Sequence, residues 1–254
     1  WKSAIDKKIP TYFNIRGYPY ADEYSYQFNE KIILALDIEE NNNEKKLILN
    51  LPLFPKNIEE LKIIYCWLFH LAGCGYSNAD FLGYIFNPEL IQLLFEGNKE
   101  NIQIIFHLKE VFLNFDNPIN VLKFTLEHLI IDRLFLSFED INTDSLSKLV
   151  LNGGNIIREL NLQEHKKPIF HNLIIKLIET SKDCSKIMSN INFYLRDCPS
   201  INPCIRAKDV KKKDEGYLCV SYKLSNIYNP NVRYYVKNIE DEGLTFTVNV
   251  KRIK

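Results

Sequence analysis

The sequence has no net charge, one methionine and few backbone-breaking residues. Its 32 basic residues balance 32 acidic ones, Met188 stands alone, and 9 glycines and 10 prolines are spread over 254 residues. A balanced charge gives no strong pull toward nucleic acid or an anionic membrane and suits protein partners. No apolar run approaches the roughly 20 residues that a membrane-spanning helix needs. With 46% hydrophobic residues, disorder is excluded and there is enough apolar side chain for one sizeable core or two smaller ones. The six cysteines, Cys66, Cys74, Cys184, Cys198, Cys204 and Cys219, are too sparse and too unevenly spaced for a disulfide scaffold. Reduced thiols in an intracellular protein, cytoplasmic or nuclear, are the expectation. The sequence opens on Trp1, so its natural start is expected upstream, and the absence of a signal peptide carries little weight.

The motifs of common chemistries are lacking as well. There is no G-x-S-x-G turn for a nucleophile, no phosphate-binding P-loop, no dinucleotide fingerprint and no C-x-x-C pair. Cys66, His70 and Cys74 fall at i, i+4 and i+8 on one helical row, which puts the two thiols about 12 Å apart, too far to share a zinc ion. Plain packing of these residues is expected. Cys184, Cys198 and Cys204 read as core or loop thiols. His171 lies on a helix with Ser181 and Asp183 near its end, where capping is the better explanation; His107, His128 and His165 are isolated. Lys211, Lys212 and Lys213, with Lys251, Arg252 and Lys254 in the tail, are diluted by Asp209, Asp214 and Glu215, so a solvated connector is expected rather than a nucleic-acid site. The sequence thus predicts no catalytic residue, no cofactor and no metal site.

What the chain does have is a repeated switch between helical and strand-like pattern. Residues 1–55 read as a β-rich segment, in which 31–38 and 46–52 form a hairpin around the polar ENNNEK. Pro55 stops the second strand, and Asn57 with Glu60 resembles a capping box for a helix buried on more than one side, with Leu61, Ile64, Tyr65, Leu68 and Ala72 on one face and Ile63, Trp67 and Phe69 around the rest. Gly73 and Gly75 end it. A second helix follows at 87–96, capped by Asn87.

Strands are then expected at 108–115, 133–138, 158–164 and 190–197, alternating with helices at 117–129, 143–151 (closed by Gly153 and Gly154) and 168–180. Each strand has an apolar-x-apolar centre: Val111/Leu113, Leu134/Leu136, Leu160/Leu162 and Phe193/Leu195. From Leu113 the steps are 23 residues to Leu136, 26 to Leu162 and 33 to Leu195, against 20–29 for leucine-rich repeats. A unit of one short strand and one helix cannot cover its own apolar face, so it turns sharply and stacks on the next copy. The fold class is therefore α/β, a degenerate leucine-rich-repeat-like βα stack over 56–199, after a helical lead-in. An ordinary parallel α/β domain is the other architecture that this alternation permits.

Residues 200–254 change character. After the polar RAKDVKKKDEG, three alternating strands carry Leu218, Val220, Tyr222 and Leu224; Val232, Tyr234 and Val236; and Leu244, Phe246, Val248 and Val250, with turns at Asn229-Pro230 and Glu242-Gly243. An antiparallel meander is expected, capping the stack whose last strand would otherwise be a free edge. Among the tyrosines Tyr217, Tyr222, Tyr228, Tyr234 and Tyr235, aromatic anchors of the kind that dominate interfaces, Tyr222 and Tyr234 also suit the core. Tyr235, beside Arg233 and Lys237, is the preferred contact residue. Outward residues of the repeat strands, Phe112, Phe135, Asn161 and Tyr194, would line a concave binding face.

The stretches FPKNIEELKIIYCWLFHL, IFNPELIQLLF, NVLKFTLEHLIID, IETSKDCSKI and YKLSNIYNPNV resemble the region after the F-box in an expanded group of nematode F-box proteins, over nearly the whole chain. The resemblance implies a substrate receptor. The F-box would hold a Skp-type adaptor of a cullin-RING ubiquitin ligase, and the region after it would bind the target protein. No leucine-proline opening with following amphipathic helices occurs within the sequence, so adaptor binding falls on none of its residues. The expected function is a non-catalytic, target-binding domain. The other possibilities are an interaction module outside ubiquitination, such as a secreted effector, and an enzyme whose site is assembled from scattered residues.

Overall fold

The computed structural model describes residues 1–14, 31–40, 43–81, 83–95, 103–113, 118–136, 143–165, 168–214 and 216–253. In chain order the elements are α1 (Lys2–Asp6), β1 (Tyr12–Asn14), β2 (Lys31–Glu40), β3 (Asn43–Pro52), α2 (Ile58–Ala72), β4 (Gly75–Phe81), β5 (Tyr84–Phe86), α3 (Pro88–Phe95), β6 (Phe106–Leu113), α4 (Pro118–His128) and β7 (Leu129–Leu136). They continue with α5 (Thr143–Asn152), β8 (Ile157–His165), α6 (Ile169–Thr180), β9 (Asn190–Pro199), β10 (Lys208–Asp214), β11 (Leu218–Ser225), β12 (Arg233–Asp241) and β13 (Leu244–Ile253). The fold is mixed α/β. Its main body is a nine-stranded sheet in the order β10-β11-β12-β13-β9-β8-β7-β6-β4.

Five strands, β4 and β6 to β9, run parallel in sequence order across one side of that sheet. Crossovers that all step the same way and share the usual right hand put their helices on one face. Accordingly α2 packs on α3, α3 on α4, α4 on α5 and α5 on α6. The sheet then continues as an antiparallel series: β13 pairs with β9, β12 with β13, β11 with β12 and β10 with β11. β13 thereby covers the edge that β9 would otherwise expose. One apolar core runs from Ala4 to Val250, between the sheet and its helices.

Several local expectations hold for identifiable reasons. Asn57 caps α2 by accepting from the Glu60 N–H at 2.9 Å, and the Glu60 carboxylate accepts from the Lys56 N–H at 2.7 Å. Asn87 Oδ1 accepts from the Glu89 N–H at 2.9 Å, and its amide donates to the Pro10 carbonyl at 2.8 Å. Between α4 and β7 no linker residue intervenes at all: His128 ends the helix and Leu129 begins the strand. β6, β7 and β8 each shift the phase of their buried residues near the middle, as Leu129 and Ile131, then Leu134 and Leu136, show in β7.

Other expectations fail. α1 lies within the segment expected to be strand and turn. α2 is buried along one stripe only, Leu61, Ile64, Leu68 and Leu71, while Ile63 is 53% and Phe69 44% exposed. Cys66, His70 and Cys74 are exposed too, so they are not packed. α2 stands at the end of the row of crossover helices, packed on α3. GYSNADF, which carries no strong strand signal, is β4, and most of the presumed connector 206–216 is the edge strand β10. In β9 the partner of Leu162 is Phe193, not Leu195, so that step is 31 residues. β2 and β3 pair out to Glu40 and Asn43, which narrows the expected loop to residues 41 and 42. Those two residues, the expected strand ends Phe115 and Phe138, Glu96, Asn117, Glu215, Lys254 and the side chain of His165 lie outside the described residues.

Candidate interaction face

Along each strand the side chains not turned to the helix layer stand on the opposite face, which the described helices leave free. One row of such side chains crosses the whole sheet. It begins with Asp80, Phe112, Phe135 and Asn161, each the registered partner of the next. It continues through Asn192 and Asn249 to Lys237, Ser221 and Lys211. Beside it runs a second row of Asn78, Glu110, Arg133 and Glu159, extended by Asn190, Lys251, Tyr235, Lys223 and Lys208.

The parallel half of this face carries an aromatic pair. Phe112, 41% exposed, stacks on the half-buried Phe135 with ring centres 4.9 Å apart and planes 13° from parallel. Below them Glu110 and Arg133 form an ion pair. Asn161 is only 3% exposed. Its carbonyl oxygen accepts from Asn192 Nδ2 at 3.1 Å, and its own amide nitrogen has no hydrogen-bond partner among the described residues. Asn192 also donates to Glu159 at 3.0 Å and accepts from Asn249 at 3.0 Å, while Asn190 donates to the other Glu159 oxygen at 2.8 Å. This amide ladder spans β8, β9 and β13 and fixes the middle of the face, because each member is oriented by its neighbours.

The antiparallel half is basic. Lys208, Lys211 and Lys213 on β10 and Lys223 on β11 stand on it, with Arg233 and Lys237 on β12 and Lys251 on β13. Asp209 reaches Lys223 at 2.8 Å, and the hydrogen bond and charge of that lysine hold its carboxyl below the usual range. No ion pair among the described residues engages Lys237 or Lys251.

The six residues expected to bind therefore share one face but do not form one cluster. Phe112, Phe135 and Asn161 are consecutive in the first row. Tyr194, 49% exposed, sits opposite Gln163 in a third row, and Asn192 takes the place beside Asn161. Tyr235 and Arg233 lie on β12, with β8, β9 and β13 between them and the phenylalanines. Tyr222 and Tyr234 are core: burial raises both phenols, Tyr234 to about 12, and the Tyr234 hydroxyl donates to the Met188 carbonyl at 3.1 Å. Residues that sequence reasoning missed here are Glu159, Asn192, Asn249, Lys223 and Lys251. Their signal was the register between strands distant in sequence.

The candidate catalytic groups among the described residues stand apart from one another. His171 is buried edge-on to Phe193, about ten helical residues from Ser181 and so about 15 Å along the axis. Ser181 donates to the Leu177 carbonyl at 2.6 Å, and Asp183 accepts from the Ser185 N–H at 2.9 Å. A groove of about 380 Å³ at the start of β4, β6 and β7 brings Ser77, His107, Lys109 and Asp132 to one region, without a hydrogen bond between them among the described residues. No group of three His, Cys, Asp or Glu that could hold a metal ion occurs among the described residues, and no helix there is long and apolar enough to cross a membrane.

No curated protein and no solved structure matches the chain. The family model of a domain of unknown function, DUF8381, matches residues 1–139, which run from α1 to just past β7 and include Phe112 and Phe135 but not the basic half of the face. Since that match takes in more than half of the 254 residues, the chain belongs to the DUF8381 family.

Proposed function

We propose that this chain is a non-catalytic protein-interaction domain and that its helix-free sheet face receives the partner. The single observation that carries this reading is the registered row of side chains that crosses all nine strands, with an aromatic pair, Phe112 exposed and Phe135 half-buried, near one end. Exposed aromatic side chains held by a rigid scaffold are what interface hot spots require. Within this proposal the parallel strands are degenerate leucine-rich repeats. In their favour is the apolar-x-x-apolar-x-apolar spacing of Leu108/Val111/Leu113, Ile131/Leu134/Leu136 and Ile157/Leu160/Leu162, all buried, which is the strand part of that consensus. The consensus asparagine is absent three residues after Leu113, Leu136 and Leu162.

The cellular role we propose is target recognition within an F-box-type adaptor of a cullin-RING ubiquitin ligase, located in the cytoplasm or nucleus. It rests on the sequence stretches that resemble that group, and the F-box itself would lie outside these residues. The test places a photo-crosslinking amino acid at Phe112 or Tyr194 and, as a control, at Lys176 on the helix side, in the full-length protein in its own cells. The expected result is adducts from the two sheet positions only, with one protein that accumulates when cullin-RING ligases are inhibited. Adducts from Lys176 alone would overturn the interaction reading. Sheet-face adducts with a protein whose level ignores the ligase would overturn the adaptor role.

A further inference from the structure

We propose that the partner's contribution to this face is an extended segment lying across the strands, with an apolar side chain on the Phe112–Phe135 pair and a run of acidic residues over β10 to β13. The inference rests on the reading of the helix-free face as a protein-binding surface and adds the chemistry of the occupant.

Polarity of the face decides the chemistry. Overall charge is zero, yet, Arg133 apart, the cations of the two rows collect on the four antiparallel strands. On the parallel strands, by contrast, the outward carboxylates are already engaged: Glu110 with Arg133, and Glu159 with Asn190 and Asn192. Arg133 neutralises Glu110, and Glu159, still charged, is half-buried and held by two amides, so these carboxylates form no acidic run for the basic half of a second copy to meet, which argues against a face-to-face dimer. They also disfavour a nucleic acid. A phosphate backbone passing the aromatic pair would meet Asp80, Glu110 and Glu159, and backbone binding depends on continuous neutralisation by cations. A polypeptide changes its charge along its length and can match both halves. Lys237 and Lys251, without an ion pair among the described residues, have the most to gain from an incoming carboxylate.

Sheet geometry sets the spacing. From β6 to β13 there are four strand steps and from β13 to β10 three; at about 4.8 Å per step these are roughly 19 Å and 14 Å. An extended chain advances about 3.3 Å per residue, so the acidic run begins roughly six residues from the apolar anchor and lasts four or five. The segment is about ten to twelve residues long.

The test pans a library of random dodecapeptides on the 254-residue chain. In parallel it uses three variants: Lys237→Glu/Lys251→Glu, Phe112→Ala/Phe135→Ala, and a helix-side control, Lys148→Glu/Lys176→Glu. All changed positions are surface side chains or half-buried ones, and circular dichroism checks that each variant keeps its fold. The expected result is enrichment of peptides with an apolar residue about six positions from an acidic run. Their Kd should rise tenfold or more in the Lys237/Lys251 variant, rise with added salt, and stay unchanged in the helix-side control. Enriched peptides without acidic preference that still need Phe112 and Phe135 would overturn the acidic occupant and leave the face as the binding surface. Enrichment indifferent to both sheet variants would overturn the face as well. Tighter binding of a thymidine 20-mer than of any peptide would overturn the proposal in favour of nucleic acid. Self-association by light scattering that the Lys237/Lys251 variant abolishes would overturn it in favour of a second copy.

Discussion

At the residue scale, the buried imidazole of His171 ties stability to pH. It is 3% exposed, packs edge-on to Phe193, and among the described residues has only Asn172 as a hydrogen-bond partner. Burial lowers its pKa from 6.5 to about 4. A base with a depressed folded pKa stabilises the fold while neutral; that contribution is complete above pH 6.5, is lost as pH falls from 6.5 to about 4, and is constant below. At about 1.4 kcal/mol per unit of pKa it amounts to roughly 3 kcal/mol. Urea unfolding at pH 7.5 and 4.5 should show wild type losing 2 to 3 kcal/mol more, in round figures, than His171→Leu, which has no proton to bind there; equal losses would show that His171 titrates normally. His128 is shifted downward too, chiefly by burial, and adds to the acid sensitivity of wild type and variant alike. Asn226 matters in another way. Its amide donates to the Ile178 and Ser181 carbonyls at 2.7 and 2.9 Å, and its oxygen accepts from the Tyr228 and Asn229 N–H groups, both at 2.9 Å. Asn226→Ala leaves buried groups unpaired, so a loss of about 3 kcal/mol is expected in the same assay. The caps Asn57 and Asn87 were legible in sequence because most of their partners are near neighbours. Asn226 was not, since its acceptors are 45 and 48 residues away.

At the element scale, the turn after α5 is fixed by a close approach. A Cβ on Gly154 would lie 2.6 Å from the carbonyl oxygens of both Lys186 and Ile187, and the Gly154 N–H donates to the Lys186 carbonyl at 2.9 Å. Backbone cannot yield as a flexible side chain does, so Gly154→Ala should cost several kcal/mol, more than the usual point substitution. Gly75→Ala, where a Cβ meets nothing within 4 Å, should be nearly silent. Equal melting temperatures for the two variants would refute this. Elements were legible where one face is buried and the other solvated, as in β6, β7 and β11. β10 was not, because all seven of its residues are exposed and an edge strand with two wet faces has no period-two pattern. β4, the other edge, fails for a different reason: Tyr76, Ala79 and Phe81 pack against the core only partly buried, and their spacing of three and then two residues has no regular period. In β9, Ile191, Phe193 and Leu195 offer two apolar-x-apolar pairs, and pairing with β8 selects the first. That choice exchanged Tyr194 for Asn192 in the candidate row. It is also why the phenylalanine pair was foreseen while the amide ladder was not.

At the scale of the whole molecule, the antiparallel strands are structural as well as basic. Val248 and Val250 of β13 register with Phe193 and Ile191 of β9, and Tyr234 of β12 reaches the Met188 carbonyl behind that strand. The parallel strands share one core with the antiparallel ones, so the last of them, β9, depends on the strand that covers its edge. Asn226 fastens α6 to the same antiparallel strands, which ties the helix layer to them too. Cutting the chain after Pro199 would therefore strip the β9 edge of its partner and unseal the core at Phe193, both at once. Hydrogen exchange on residues 1–199 should show protection lost across β6 to β9, along with aggregation through the exposed edge. If β6 to β8 stayed protected in the shortened chain, the parallel part would be a folding unit of its own. The basic half of the face would then be an appendage to it rather than the support that holds the aromatic pair and the amide ladder in place.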